Sequence, residues 1–282
     1  MGIHPIGFMQ GRLSPQVDGL IQAFPWSHWQ SEFTLAERIG LGIMEWTLDQ
    51  DKLYQNPLLT TVGQMEIRRL CTSHAVKISS LTGDCFMQAP FWKATSGLGA
   101  ALKKDFMAIA TACKAVGISI IVVPLVDNGR LENLEQEDQL IQFLEAQSDF
   151  FRSNQLKVIF ESDFGPVELA RFINRLDPAI FGINYDIGNS AALGYDALGE
   201  FAAYGHRVLN VHIKDRVLGG GTVPLGMGSA NFNAVFEELR RIHYQGNFVL
   251  QTARALDSDH SSLLAKYRDM TANWIDIWRL NQ

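Results

Sequence analysis

Eight short apolar or β-branched runs begin near residues 6, 43, 78, 119, 157, 183, 208 and 248, so successive starts lie 25 to 41 residues apart. Each interval holds one amphipathic helix and its loops, which is the length a crossover between parallel strands needs. The pattern predicts strands over Ile6–Gln10, Ile43–Trp46, Ile78–Thr82, Ser119–Pro124, Lys157–Glu161, Ile183–Asp186, Val208–His212 and Phe248–Thr252. Between them, Leu102, Phe106, Ile109, Cys113 and Val116 form a helical stripe that Gly117 is placed to end. Gly165, Pro166 and Glu168 supply a helix start, and Phe232, Val235, Phe236, Leu239 and Ile242 form a further stripe closed by Gly246. Eight βα units in 282 residues predict an α/β fold, a closed (β/α)8 barrel in a single domain over residues 1–282. A doubly wound sheet would bring a Gly-rich dinucleotide turn after an early strand, and none is present.

Charge narrows the partners. Lys and Arg total 24 against 30 Asp and Glu, a net charge of −6, so no overall field favours nucleic acid or an anionic membrane. The longest apolar run, Ile118 to Val126, is far short of the ~20 residues that span a bilayer. The N-terminus MGIHPIGFMQGRLSP shows no export leader, and Ile6 stands where a myristoylation signal wants Ser or Thr. Cys71, Cys85 and Cys113 are an odd number without metal-type spacing and read as reduced thiols. The expectation is a soluble, cytoplasmic protein whose partner is a small molecule.

In a barrel, side chains at the C-terminal strand ends converge on one mouth. Three successive strands end there in metal-binding types: Glu161 closes VIFE, Asp186 closes INYD and His212 closes NVH. They are separated by 25 and 26 residues, one βα unit each, and adjacent strands lie about 4.8 Å apart. Two carboxylates and an imidazole suit a divalent ion such as Mn, Mg, Co or Zn. Gln251 closes the next strand and offers an uncharged amide oxygen as a fourth ligand. A lone acid at a strand end commonly caps the following helix. Three in succession point to a shared ion.

The segments MQGRLSP, IFESDF, NYDIGNSAALGYD, NVHIKDR, VPLGMGSANF and FVLQTAR resemble the xylose isomerase-like TIM barrels, a superfamily of sugar and sugar-phosphate isomerases and epimerases. VHIKDR followed by a Gly-rich stretch is most similar to the pentulose-phosphate 3-epimerases of that group. The resemblance implies an ion held by Glu161, Asp186 and His212 with a fourth carboxylate on the last strand, and two glutamates working opposite faces of the substrate carbon. Glu161 matches one glutamate; Gln251 stands in place of the other. An amide has no protonation equilibrium near neutral pH and cannot act as general base. Glu161 is therefore the expected base, and the return proton comes from the same group or from Lys214, His74 or Glu45. An ion bridging a ketose carbonyl and the neighbouring hydroxyl would stabilise the enediolate formed when the α-proton leaves.

Further candidates line the same face. Lys214 and Arg216 follow His212, Asn189 lies three residues past Asp186, and Gln10 and Arg12 follow the first strand. Arg12 is suited to clamp a phosphate or carboxylate, with Arg254 beyond the last strand as a second such cation. Glu45 and Asp84 lie near the second and third strand ends, Glu45 being the stronger candidate for substrate contact. Gly219, Gly220, Gly221, Gly226 and Gly228 suggest a mobile lid, and Phe24, Trp26 and Trp29 either a sugar platform or a packing cluster.

The expected function is a metal-dependent isomerase or epimerase of a small ketose or its phosphate. The alternatives are a metal-dependent keto-polyol dehydratase of the inosose type and a non-catalytic sugar-binding barrel that lost its second base at Gln251. An abasic-site endonuclease would carry histidine where Asn189 stands. A homo-oligomer is expected only by analogy with other such barrels.

Overall fold

The computed structural model of the protein describes residues 5–280, so the first four residues of the leader reading lie outside it. Eight parallel strands, β1 (Ile6–Met9), β2 (Ile43–Thr47), β3 (Lys77–Thr82), β4 (Ile120–Leu125), β5 (Lys157–Ser162), β6 (Phe181–Asp186), β7 (Val208–Ile213) and β8 (Asn247–Leu250), close into a barrel. Each strand pairs with its sequence neighbours, and β8 pairs with β1 to close the ring. The last strand stops at Leu250, so Gln251 and Thr252 belong to the loop that leaves it.

Helices surround the barrel where the apolar stripes fall. The stripe before Gly117 becomes a helix over Ser96–Val116, with Leu102, Phe106, Ile109 and Cys113 buried and Gly117 at φ 86° ending it in the left-handed region. Pro166 opens the helix Pro166–Ile173 as expected. The helix Phe232–Arg241 stops short of Gly246, because His243 already turns left-handed at φ 53°. The final helix, His260–Leu280, packs on that helix and on β1 and β8, with Trp274 stacked on Phe232 at 4.2 Å. Phe24, Trp29 and Trp46 form a rim packing cluster, with Trp46 5.3 Å from Phe24 and 5.8 Å from Trp29. Among the described residues, no helix is long and apolar enough to cross a membrane.

The barrel interior is unusual for its polarity. Glu45, Ser80, Thr82, Asn184, Asn210 and His212, all buried, occupy positions that branched aliphatic residues generally fill. A polar core of this kind holds only if its donors and acceptors find one another. Register brings them together: Asp186 pairs directly with His212, and Asn184 with Asn210. Glu161 is not level with Asp186, as equal strand spacing suggests. Phe160 pairs with Ile183, which sets Glu161 beside Asn184, one inward-facing layer deeper, and its longer side chain makes up the difference.

Candidate functional site

Glu161, Asp186 and His212 converge at the mouth. One donor atom from each lies within 4.8 Å of the other two, and all three residues are buried. His212 Nδ1 is 3.2 Å from Glu161 Oε2 and 3.8 Å from Asp186 Oδ2. Asp186 caps a helix and faces the cluster at the same time. Its Oδ1 accepts the backbone N–H of Asn189 at 2.8 Å, starting the helix Ile187–Leu193, while Oδ2 faces the cluster.

The imidazole is fixed from behind. Its Nε2 lies 2.7 Å from Glu45 Oε1, and because a carboxylate only accepts, Nε2 carries a proton. Nδ1 faces Glu161 and Asp186; burial pulls the ring down, but Glu45, Asp186 and Glu161 outweigh it and hold it well above the usual imidazole range, and an ion bound among them would take the place of the Nδ1 proton. Glu45 also accepts from Ser80 Oγ (2.6 Å), Thr82 Oγ1 (2.5 Å) and Asn210 Nδ2 (3.0 Å). Burial pushes the Glu45 carboxyl up, but His212 and the two hydroxyl donors outweigh it and hold the group below the usual carboxylate range. Glu45 is thus not a substrate contact or a proton carrier at the mouth. It orients His212 from the opposite side of the ring. His74 is also removed from consideration: it ends the helix Thr61–His74 and pairs with Glu37 at 2.7 Å on the barrel exterior.

Two asparagines aim Glu161. Asn189 Nδ2 donates to Oε1 at 2.7 Å and Asn184 Nδ2 to Oε2 at 3.0 Å, while Asn210 Nδ2 fixes Asn184 through its Oδ1 at 2.8 Å. This donor set fits a divalent cation: two carboxylate oxygens and an imidazole nitrogen that would give up its proton to the ion, each side chain braced by a second hydrogen-bonded group.

Lys214 reaches the cluster from above. Its Nζ donates to Asp186 Oδ2 and Asn189 Oδ1, both at 3.1 Å, and to Gln251 Oε1 at 3.2 Å. Burial pushes the Asp186 carboxyl up, yet the Lys214 ammonium and the His212 ring overcome it and take the group down to about 2. Gln251 therefore meets the cluster through Lys214, its amide oxygen engaged by the ammonium. Arg216 Nη1 donates to Asn189 Oδ1 at 2.8 Å, and its Nη2 to the Gly220 carbonyl at 2.7 Å.

The Gly-rich connection carries a short ribbon in which Asp215–Arg216 pairs with Thr222–Val223. Buried Asp215 accepts the backbone N–H groups of Gly226, Gly228 and Ala230 at 2.8 to 3.1 Å. A Cβ at Gly228 would lie 2.1 Å from Asp215 Oδ1, so the close approach of that backbone requires glycine.

The β1 and β8 side of the mouth is built differently. Gln10 Oε1 accepts the Thr47 N–H at 3.1 Å, which leaves its buried Nε2 without a partner. Arg12 donates through Nη1 to the Ile21 carbonyl at 3.1 Å and through Nη2 to Gln22 Oε1 at 3.5 Å. Arg254 donates through Nη1 to the Ser14 carbonyl at 2.6 Å.

Three residues organise this side, of which sequence reasoning raised Asp84 only as the weaker candidate and did not select Glu32 or Gln22. Glu32 accepts the Gly11 N–H on both oxygens and the Leu13 N–H, clamping the turn after β1. Asp84 is buried with one hydrogen bond, from Gln22 Nε2 at 2.7 Å. Gln22 accepts from Gln251 Nε2 at 2.9 Å, so it bridges the mouth from Gln251 to Asp84. Burial pushes both the Glu32 and the Asp84 carboxyls up to about 7. Glu32 and Gln22 sit in a connection with no periodicity to mark them; Asp84 was visible as an acid past β3 but shared that property with several others.

A family model described as the xylose isomerase-like TIM barrel matches residues 33–269. The chain belongs to that family. No curated protein matches it in sequence. Among solved structures it is similar to a xylose isomerase domain protein from Planctomyces limnophilus, with a TM-score of 0.75 at 14% identity, covering 97% of this chain and 98% of that one. It is also similar to D-allulose 3-epimerase from Methylomonas sp. in complex with D-allulose, with a TM-score of 0.74 at 14% identity over 96% and 98% of the two chains. A third is the IOLI protein with a binding zinc atom, with a TM-score of 0.71 at 16% identity over 97% and 99%. These likenesses establish the barrel across the whole chain.

Proposed function

We propose that the protein is a metal-dependent isomerase or epimerase of a small ketose or ketose phosphate that works through an enediolate. The observation carrying this reading is the convergence of Glu161, Asp186 and His212 within 4.8 Å at the C-terminal end of a barrel of this family. Similar folds hold zinc in one case and D-allulose in another, which supports the same class of ligand here. A divalent ion at these three residues would supply fixed positive charge against the oxygens of an enediolate.

The chain's own groups divide the remaining work. Glu161, aimed by Asn184 and Asn189, takes the α-proton on a carboxylate oxygen. Lys214 donates hydrogen bonds toward the mouth and stabilises negative charge on a substrate oxygen. Gln251 cannot return a proton. Its amide oxygen is engaged by Lys214 and its amide N–H by Gln22, which favours a single base that delivers the proton to the neighbouring carbon. Asp84, pushed up to about 7 by burial, is the second proton carrier at the mouth should the product be an epimer.

The test is incubation of the Mn- or Mg-loaded protein with ketoses and ketose phosphates in deuterated water, followed by NMR. Label entering a carbon-bound position, and falling about 10²-fold or more in Glu161→Gln, is the expected result. Loss of water from the product would move the protein to the dehydratases, which share the first proton abstraction. Absence of exchange across the panel would leave a sugar-binding barrel.

A further inference from the structure

Buried guanidinium groups are ordinarily paired with carboxylates, because taking an unpaired charge out of water is costly. Arg12 is 4% exposed, and neither it nor Arg254 has a carboxylate oxygen within 4.0 Å among the described residues. The Nε atoms of both arginines are buried with no acceptor, and so are Gln10 Nε2 and the hydroxyl of Thr252. Four of the orphaned polar atoms of the described structure thus gather on the residues that leave β1 and β8. Arg12 and Arg254 lie with Thr252, His260 and Leu264 around a gap with no room for a water molecule, so a ligand can reach the guanidiniums only where the chain after Leu13 now lies.

The acceptors that Arg12 does have come from a strap. Between buried Leu13 and buried Phe24, the chain runs over the mouth, with Leu20 and Ile21 turned to solvent at 54% and 71% exposure. At its mouth end the strap is held by polar contacts: Arg12 to the Ile21 carbonyl and the Gln22 side chain, Gln22 to Asp84, and Gln251 to Gln22. Carbonyl and amide oxygens are weak partners for a guanidinium; a phosphate or carboxylate is a strong, bidentate one. The path from there to the cluster is continuous, from Gln22 through Gln251 and Lys214 to Asp186. An end of a substrate bound at the strap's position would therefore share the mouth with the end bound at Glu161, Asp186 and His212.

We propose that Arg12 and Arg254 receive an anionic group of the substrate, a phosphate ester or a carboxylate, and that the Ile21 carbonyl and the Gln22 side chain hold its place until it enters. This rests on the sugar isomerase or epimerase reading for what happens at the other end. The neighbouring acids do not fill the role: Glu32 is spent on backbone N–H groups, and Asp84 is turned to Gln22. Burial pushes both up to about 7, so near neutrality they offset the two guanidiniums only in part.

Calorimetric titration of the metal-loaded full chain with D-ribulose, D-ribulose 5-phosphate and D-fructuronate tests the assignment and separates the two anion sources. One of the charged ligands should bind at least tenfold more tightly than D-ribulose. Arg12→Gln should erase that preference, and Arg254→Gln should reduce it. Should the buried Arg12 variant fail to fold, Gln22→Ala carries the test: removing the oxygen that faces Arg12 Nη2 should raise the ratio of charged-ligand to D-ribulose affinity several-fold. Equal binding of charged and neutral ligands, or a preference unmoved by all three variants, would overturn it. Deuterium exchange on the same ligands keeps the two readings apart. Exchange of D-ribulose as fast as of its phosphate, with equal affinity, removes the anion site and keeps the isomerase. An arginine-dependent preference for the charged ligand without exchange keeps the anion site and removes the isomerase.

Discussion

The two halves of the barrel mouth are finished to different degrees. On the β5, β6 and β7 side, both oxygens of Glu161 and Asp186 have partners, and the nitrogens of His212 face Glu45 on one side and Asn184 and the two acids on the other. On the β1 and β8 side, two guanidiniums and an amide keep donors with no acceptor in the protein. The difference teaches where the molecule has paired its charged side chains, with Asn210 Oδ1 the unmet atom of that network among the described residues, and where it leaves cationic donors to something it binds. A preorganised site holds its ligand groups at no cost at the moment of binding, while unmatched buried donors represent stability forgone.

The largest effect that breaks this contrast is on the finished side. Glu45→Ala removes the acceptor of four donors, leaving His212 Nε2 and two hydroxyls buried and unpaired and the Asn210 amide with Asn184 alone. We expect a loss of about 3 kcal/mol or more in denaturant unfolding, together with loss of metal retention. A variant that unfolds like the parent would show that the polar barrel core is not what fixes His212.

A smaller effect sharpens the unfinished side. The folded Asp84 carboxyl, raised to about 7 from 3.8, binds its proton more tightly than the unfolded one. Its contribution to stability is complete below pH ~4 and declines as the pH rises toward 7. Asp84→Asn keeps an acceptor for Gln22 and removes the titration. The unfolding free energy of the parent should therefore fall by about 1–2 kcal/mol more than that of the variant between pH 4 and 7. Parallel pH profiles would place Asp84 in ordinary solvent contact.

The smallest effect bears on the junction of the two halves. Gln251→Glu puts a carboxylate beside Lys214, draws the ammonium from Asp186 Oδ2 and adds a charge near the ion. Retention against a chelator should improve by about tenfold, on the order of 1.4 kcal/mol. Unchanged retention would mean that the amide lies outside the coordination sphere's influence.

The barrel and the convergence of Glu161, Asp186 and His212 were legible because both obey short-range rules. Strand runs of fixed period separated by helix-length intervals have one economical closure, and strand ends in such a barrel meet at one mouth. Glu161, Asp186 and His212 could be read from position alone. What the sequence did not disclose depends on contacts between residues far apart in the chain. Glu45 looked like an acid facing substrate, since strand alternation tells inward from outward but not upward from behind an imidazole 167 residues away. His74 followed β2 at helical distance and fell on the exterior once the helix was built. The glycines after Arg216 suggested mobility, yet a single buried carboxylate, Asp215, gathers their N–H groups. Gln22 gave no signal, because a polar residue in a loop acquires meaning only from what it spans.

The chemistry proposed at the mouth requires one ion held by three side chains. Titrating the chelator-treated protein with Mn or Zn by calorimetry, beside Asp186→Asn and His212→Ala variants whose folding is checked by circular dichroism, tests that most directly. One equivalent should bind to the parent, and each folded variant should lose at least tenfold in affinity. Stoichiometric binding that both variants keep unchanged would contradict it.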